Sequence, residues 1–179
     1  MDARNHLTIW LSGSPKRRIT ALALAVVALD QLTKALVLRL LGYAEERVIL
    51  AGFFKFVHWT NTGAAWSLFR GNNGLLAGIA LAALLALYLS RHHFDSHSRL
   101  GQIAFGLIFG GITGNLLDRV FRGHVVDFLY FYVDQRGGGE AGFPAFNVAD
   151  SAICVGVALV FFNTWRSEHP RRTATPTPG

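Results

Sequence analysis

Apolar residues fall along this chain in four long blocks rather than in short periodic patterns: Ile19–Leu41, Gly74–Ser90, Leu100–Leu117 and Val148–Trp165. Blocks of this kind predict membrane-spanning helices. The first is 23 residues long, roughly 35 Å as a helix and enough to cross a bilayer. Between the first two blocks, Val48-Ile49-Leu50 and Phe53 to Trp59 are rich in β-branched and aromatic residues. They predict a small sheet at the membrane interface. Asn61-Thr62-Gly63 then predicts a turn, and Ala64-Ala65-Trp66-Ser67 a short interfacial helix. Arg91–Arg99 reads as a short polar loop, and Phe121–Phe146 as a longer one with an aromatic run and the flexible Gly137-Gly138-Gly139. The expected fold is an all-α polytopic membrane protein: four transmembrane helices, a small extracytoplasmic β cradle and an interfacial helix. Residues 1–18 and 166–179 are polar and are expected to be cytoplasmic tails, the second disordered.

Composition supports the membrane reading. Hydrophobic residues make up 51% of the 179 and charged residues only 16%, less charge than a soluble domain usually carries. A formal net charge of +6 raises the question of nucleic acid. However, the basic residues flank apolar blocks instead of forming one stripe: Lys16-Arg17-Arg18 before the first, Arg91 and Arg99 around a short loop, Arg166, Arg171 and Arg172 after the last. That distribution marks the cytoplasmic side of a membrane protein and excludes a nucleic-acid partner. Both termini are therefore expected in the cytoplasm. The competing reading of the first block is a cleaved signal peptide, cut after Ala23 or Ala25. Its apolar run continues well past a normal signal-peptide core. The single Cys154 lies in an apolar run and is expected to be a buried packing residue.

The polar residues inside or beside the apolar blocks are the candidate chemistry. Asp30 and Lys34 share a helix face at i and i+4 and can pair, as a tie between helices or as part of a polar site. Gly106, Gly110 and Gly114 recur every four residues and predict close helix packing. That block ends abruptly in Asn115, Asp118 and Arg119, with Asn115 and Arg119 on one face. Asp127 lies just beyond it, and Asp150 lies near the start of the last block. Topology puts both acids at the outer ends of neighbouring helices. Two such carboxylates cannot both ionise cheaply, so they would share a proton and activate water against a peptide bond. No metal or other cofactor is needed. The loop histidines His92, His93 and His97 lack partner ligands at zinc-like spacing. Two alternatives stay open on the residues alone. Ser151 with Lys34 could form a Ser–Lys peptidase. The intramembrane acids with Lys34 and Arg119 could line a proton or ion path in a small transporter.

Five pieces, in this order and with four spans, resemble one family. They are Asp30-Gln31-Leu32-Thr33-Lys34, Asn61-Thr62-Gly63-Ala64-Ala65-Trp66-Ser67, Gly114-Asn115-Leu116-Leu117-Asp118-Arg119, Val125-Val126-Asp127-Phe128 and Phe146-Asn147-Val148-Ala149-Asp150-Ser151. Over residues 19–165 the chain resembles lipoprotein signal peptidase (signal peptidase II), a bacterial intramembrane aspartic protease. The resemblance implies Asp127 and Asp150 as the catalytic dyad, with Asp30, Lys34, Asn61, Gly63, Asn115, Arg119 and Asn147 supporting the site. It implies a prolipoprotein substrate whose cysteine carries diacylglycerol, cut just before that cysteine at the outer face of the cytoplasmic membrane. It also implies inhibition by globomycin-like cyclic peptides, lipid as surroundings, no cofactor and a monomer. Trp66 stands where the family often has Phe.

Overall fold

A computed structural model of the chain describes residues 14–63, 69, 71–92 and 98–168. In chain order these form helix α1 (Pro15–Leu40), strands β1 (Glu46–Leu50) and β2 (Phe54–Asn61), helices α2 (Asn73–Leu89) and α3 (Arg99–Phe121), strands β3 (Val125–Asp134) and β4 (Glu140–Gly142), and helix α4 (Val148–Glu168). Helices α1, α3 and α4 are each long and apolar enough to cross a membrane, while α2 is apolar but shorter, at 17 residues. The proposed interfacial helix at Ala64–Ser67, Trp66 included, lies outside the described residues, as do His93 and His97.

Three helices run past the apolar blocks that announce them. Helix α1 starts at Pro15, with Ser14 as N-cap accepting from Arg17 N, so Lys16-Arg17-Arg18 form its first turn instead of a tail. Proline suits that position because its missing N–H would be unpaired there anyway. Helix α3 continues through its polar end to Phe121, and α4 continues to Glu168. These segments carry polar side chains without losing helical backbone bonds. A hydropathy reading stops at such residues before the helix does.

Glycine sets how closely the helices meet. A Cβ at Gly110 would lie 2.8 Å from Ala23 O and from Val26 Cβ, and one at Gly106 3.2 Å from Ile19 O. Both glycines therefore face α1 on the predicted four-residue stripe. A second face of α3 meets α4: a Cβ at Gly111 would lie 2.5 Å from Ala149 O. From the α4 side, Gly156 meets Ala104 O, at 2.9 Å from its would-be Cβ. Cys154 is exposed on α4, contrary to the expected burial. Gly156, two residues on, takes the face that packs against α3, so the sulfur points outward.

The second long loop expected at Phe121–Phe146 is largely sheet. Its strands β3 and β4 complete an antiparallel four-stranded sheet in the order β1-β2-β3-β4, at the end of the bundle where α1 and α3 finish and α2 and α4 begin. Val37 and Leu41 of the α1 end pack with Phe128 of β3, joined by Phe56, Leu129 and Val148. His58 Nδ1 lies 3.1 Å from both Leu41 O and Gly42 O. Facing two carbonyls, this nitrogen carries the proton and ties β2 to the helix end.

Candidate active site

Asp127 is carried by the sheet and Asp150 by a helix start, and the two come together through local features of each. Strands β2 and β3 pair as Phe56↔Leu129, then, after a bulge, as Trp59↔Asp127 and Asn61↔Val125. The extra residue changes which side chains share a face, because side chains alternate along a strand. The shift puts Asn61 on the face of Asp127, as its diagonal neighbour. Phe146 N donates to Leu129 O, and Leu129 N to Phe146 O. This short bridge delivers the next residue, Asn147, to the side of β3 just before α4 begins.

Asn147 is the N-cap of α4. Its Oδ1 accepts from Asp150 N at 2.9 Å, and Asp150 Oδ2 accepts from Asn147 N at 3.1 Å. This is a reciprocal capping box, with Asp in the role Glu or Gln usually takes. The cap also orients the amide: its oxygen is held by Asp150 N–H, so its NH2 points away and donates to Asp127 Oδ1 at 2.9 Å.

Two more asparagines repeat that logic. Asn61 Oδ1 accepts from Gly63 N at 2.9 Å, and its Nδ2 donates to Asp127 Oδ2 at 3.0 Å. Asn115 Oδ1 accepts from Lys34 Nζ at 3.1 Å, and its Nδ2 donates to Asp150 Oδ1 at 2.7 Å. Three of the four carboxylate oxygens thus receive a side-chain amide aimed by a second hydrogen bond, and the fourth, Asp150 Oδ2, receives the backbone N–H of Asn147. Gly63 serves the site through its backbone, since its O also accepts from Arg119 Nη2 at 3.0 Å. The other terminal nitrogen, Arg119 Nη1, is buried without a hydrogen-bond partner among the described residues, although the guanidinium lies within Coulombic reach of Asp150 and Asp127.

Burial pushes the Asp127 carboxyl up to about 7, and the nearby charge of Asp150 adds to the rise; the donors Asn61 and Asn147 and the charge of Lys34 only partly offset it. A carboxyl poised there can hold or release a proton near neutral pH. Beneath the pair, Asp30 and Lys34 meet as expected, at 2.8 Å. Lys34 Nζ also reaches Asp118 Oδ2 at 2.7 Å, and all three side chains are fully buried. Gln31 Nε2 donates to Asp30 and Asp118, and Arg122 Nη1 donates to Asp118 and to Gln31.

All nine residues singled out from the sequence therefore fall in one connected region. The reading missed Asp118, Gln31 and Arg122 as partners. Asp118 and Arg122 stand at i and i+4, a signal that was available. Gln31, a polar residue inside an apolar block, carries the same mark as Asp30 and Lys34 beside it. Ser151 Oγ donates to Asn147 O at 3.0 Å, and the three bonds of Lys34 go to Asp30, Asp118 and Asn115. Serine and lysine are thus each engaged elsewhere. Among the described residues, no group of three or more His, Cys, Asp or Glu could hold a metal ion.

The family model described as signal peptidase (SPase) II matches residues 22–166. The lipoprotein signal peptidase of Azoarcus sp. (strain BH72) is 41% identical over 159 residues, covering 87% of this chain and 86% of that protein. That of Neisseria gonorrhoeae (strain ATCC 700825 / FA 1090) is 40% identical over 154 residues, covering 83% and 89%. A solved bacterial membrane enzyme, 28% identical, superposes with a TM-score of 0.75 over 89% of this chain and 94% of its own. Similarity of this extent, across all the segments that build the site, makes the chain a member of the signal peptidase II family.

Proposed function

We propose that this chain is a lipoprotein signal peptidase that uses Asp127 and Asp150 as an aspartic dyad to hydrolyse the peptide bond before the diacylglyceryl-modified cysteine of a prolipoprotein. The observation that carries this reading is Asn147, which donates to Asp127 through its side chain and to Asp150 through its backbone. One residue thereby holds both acids of a single buried site.

The dyad shares one proton. Its ionised member takes a proton from water, and the resulting nucleophile attacks the scissile carbonyl. The protonated member donates to the developing oxyanion, and the leaving amine receives the proton when the roles exchange. Arg119 Nη1, without a partner among the described residues, is a ready donor to a substrate carbonyl. A signal-peptide helix has to unwind locally before attack, since helical carbonyls are internally bonded. The acyl chains of the modified cysteine stay in the lipid and anchor the substrate.

In this reading α2 is the fourth span. Its 17 residues give roughly 25 Å, and the 3-10 turn Ser90–His92 that follows extends it toward the thickness of the hydrocarbon core. The basic first turn of α1 and the region after α4 lie on the cytoplasmic side of the inner membrane, and the sheet forms an extracytoplasmic cradle. The protein works as a monomer, and a globomycin-like peptide blocks it by occupying the dyad.

A gel-shift cleavage assay with lipidated and unlipidated precursor tests the reading. Asp127→Asn and Asp150→Asn should each lower turnover of the lipidated precursor by at least about 10³-fold while remaining in the membrane. The unlipidated precursor should stay uncut. Retained turnover in either variant would remove the dyad.

A further inference from the structure

The ion cluster under the dyad is more than a neutralised set of buried charges. Lys34 on α1 sits between two carboxylates, Asp30 on its own helix and Asp118 on α3. Each carboxylate has a further bond, and those bonds run in parallel. Asp30 Oδ1 accepts the backbone N–H of Ala149 at 3.0 Å, one residue before Asp150. Asp118 Oδ2 accepts the backbone N–H of Val126 at 3.4 Å, one residue before Asp127. The third bond of Lys34 goes to Asn115 Oδ1, and the NH2 of Asn115 donates to Asp150 Oδ1. One ammonium thus reaches the strand that carries Asp127, the helix start that carries Asp150 and the amide that holds Asp150.

We propose that Lys34 is the positioning residue of the dyad: it fixes Asp30 and Asp118, which hold the backbone immediately before Asp150 and Asp127, and it turns the amide of Asn115 toward Asp150. This deepens the dyad reading and rests on it. Asp30, Asp118 and Lys34 are themselves fully buried, so the mount is shielded from water and salt. Gln31 closes it from the side, bonded to Asp30, Asp118 and Gly114 O. Gly114 has no room for a side chain: a Cβ there would lie 2.7 Å from Asp30 Oδ2.

Lys34 acts on the dyad by geometry and by charge, and the second effect separates it from a merely structural lysine. The charged groups around it are Asp30 on α1, Asp118, Arg119 and Arg122 on α3, Asp127 on β3 and Asp150 on α4. A positive charge favours ionised carboxylates, so removing it moves the titration of the dyad to higher pH. Removing the negative charge of Asp118 moves it to lower pH. Asn at 118 keeps an oxygen for Val126 N–H, so this variant disturbs the mount least.

The test is the pH profile of kcat/KM for lipidated precursor, measured on detergent-purified full-length chains. Lys34→Met should lower kcat by about 10²-fold with little change in KM, and shift both limbs of the profile up by about one pH unit. Asp118→Asn should shift both limbs down. Limbs that stay at the wild-type positions, or that move the same way in both variants, overturn the proposal. If Lys34→Met does not accumulate as folded protein, Asp118→Asn decides: a downward shift supports the mount, and an unmoved profile overturns it. Asp127→Asn run alongside separates the two readings, since a fully active Asp127→Asn enzyme refutes the dyad, whatever the limbs do.

Discussion

Two lysines in this protein sit between two acids, and they do different things. Lys34 lies among the helices, clamped by Asp30 and Asp118 at 2.8 and 2.7 Å. Lys55 lies in the sheet, clamped by Glu46 at 2.5 Å and Glu140 at 2.6 Å. Both lysine side chains are buried, but the partners of Lys34 are 0% exposed and those of Lys55 are 37% exposed. Lys55 also lies over the Tyr130 and Tyr132 rings, at 5.3 and 4.8 Å from their centroids. Its clamp joins the edge strands β1 and β4 across β2 and β3. Burial works against the Lys55 charge, but the bonds to Glu140 and Glu46 outweigh it and push the ammonium up to about 12. A raised lysine contributes stability that is complete below the unfolded value and is lost only as pH passes through about 12. The sheet clamp is thus constant at neutral pH. The carboxylates of the helix clamp have further bonds to the backbone beside Asp127 and Asp150. What a buried ion pair does depends on what else its carboxylates hold.

The contrast can be broken at several points. Beyond the two aspartates themselves, the largest expected effect is at Asn147, which bonds both acids. Asn147→Ala removes the α4 cap and the donor to Asp127, and should cost about 1 kcal/mol of stability but about 10²-fold or more in kcat. A loss of stability with full kcat would mean that the cap is structural only. Next is pH. In the proposed mechanism the dyad must hold a proton, and burial pushes the Asp127 carboxyl up to about 7, so kcat/KM should fall as pH rises through that value. The same shift has a stability consequence. The folded state holds the Asp127 proton more tightly than the unfolded chain, so this group costs stability as pH rises from about 4 to about 7. Asp127→Asn, which cannot ionise, should therefore melt a few degrees above wild type at pH 8, on the order of 1 kcal/mol, and should converge with it near pH 4. Thermal scans at the two pH values check this. The smallest effect is at Lys55. Lys55→Met leaves two half-exposed glutamates that water can solvate, and should cost about 1 kcal/mol or less with kcat and both pH limbs unchanged. A shifted limb there would make the two clamps equivalent and erase the comparison.

Much of the site was legible because its residues break a local rule. Asp30, Lys34, Asn115 and Arg119 interrupt apolar helices, where polar side chains are costly and rarely kept without a partner or a use. The glycine stripe of α3 was legible for the opposite reason, since small residues at a four-residue spacing expose backbone for close contact. Other features carried no such mark. The segment holding Asp127 read as a loop because its pairing partner, β2, lies far away in sequence. The β2 bulge that brings Asn61 to the face of Asp127 is a register property of two strands. The burial of Cys154 was misjudged because apolar surroundings in a membrane helix do not say which face meets lipid. In α2 most of the large apolar side chains are exposed, whereas the fully buried positions of the protein include Lys34, Asp30, Asp118 and Asn147.

By itself the sequence determined the long apolar helices, the acids at their ends and the family to which the chain belongs, because hydropathy and motif order are local properties. Only the tertiary structure decided which oxygen each donor reaches. The asparagines bond the dyad because Gly63 N, Lys34 Nζ and Asp150 N–H occupy their other atoms. Lys34 touches both halves of the site because glycine lets α1, α3 and α4 approach closely. A hydrogen bond is directional and spans about 3 Å. Its partners are therefore set by the packing of distant segments, which no single stretch of this chain encodes.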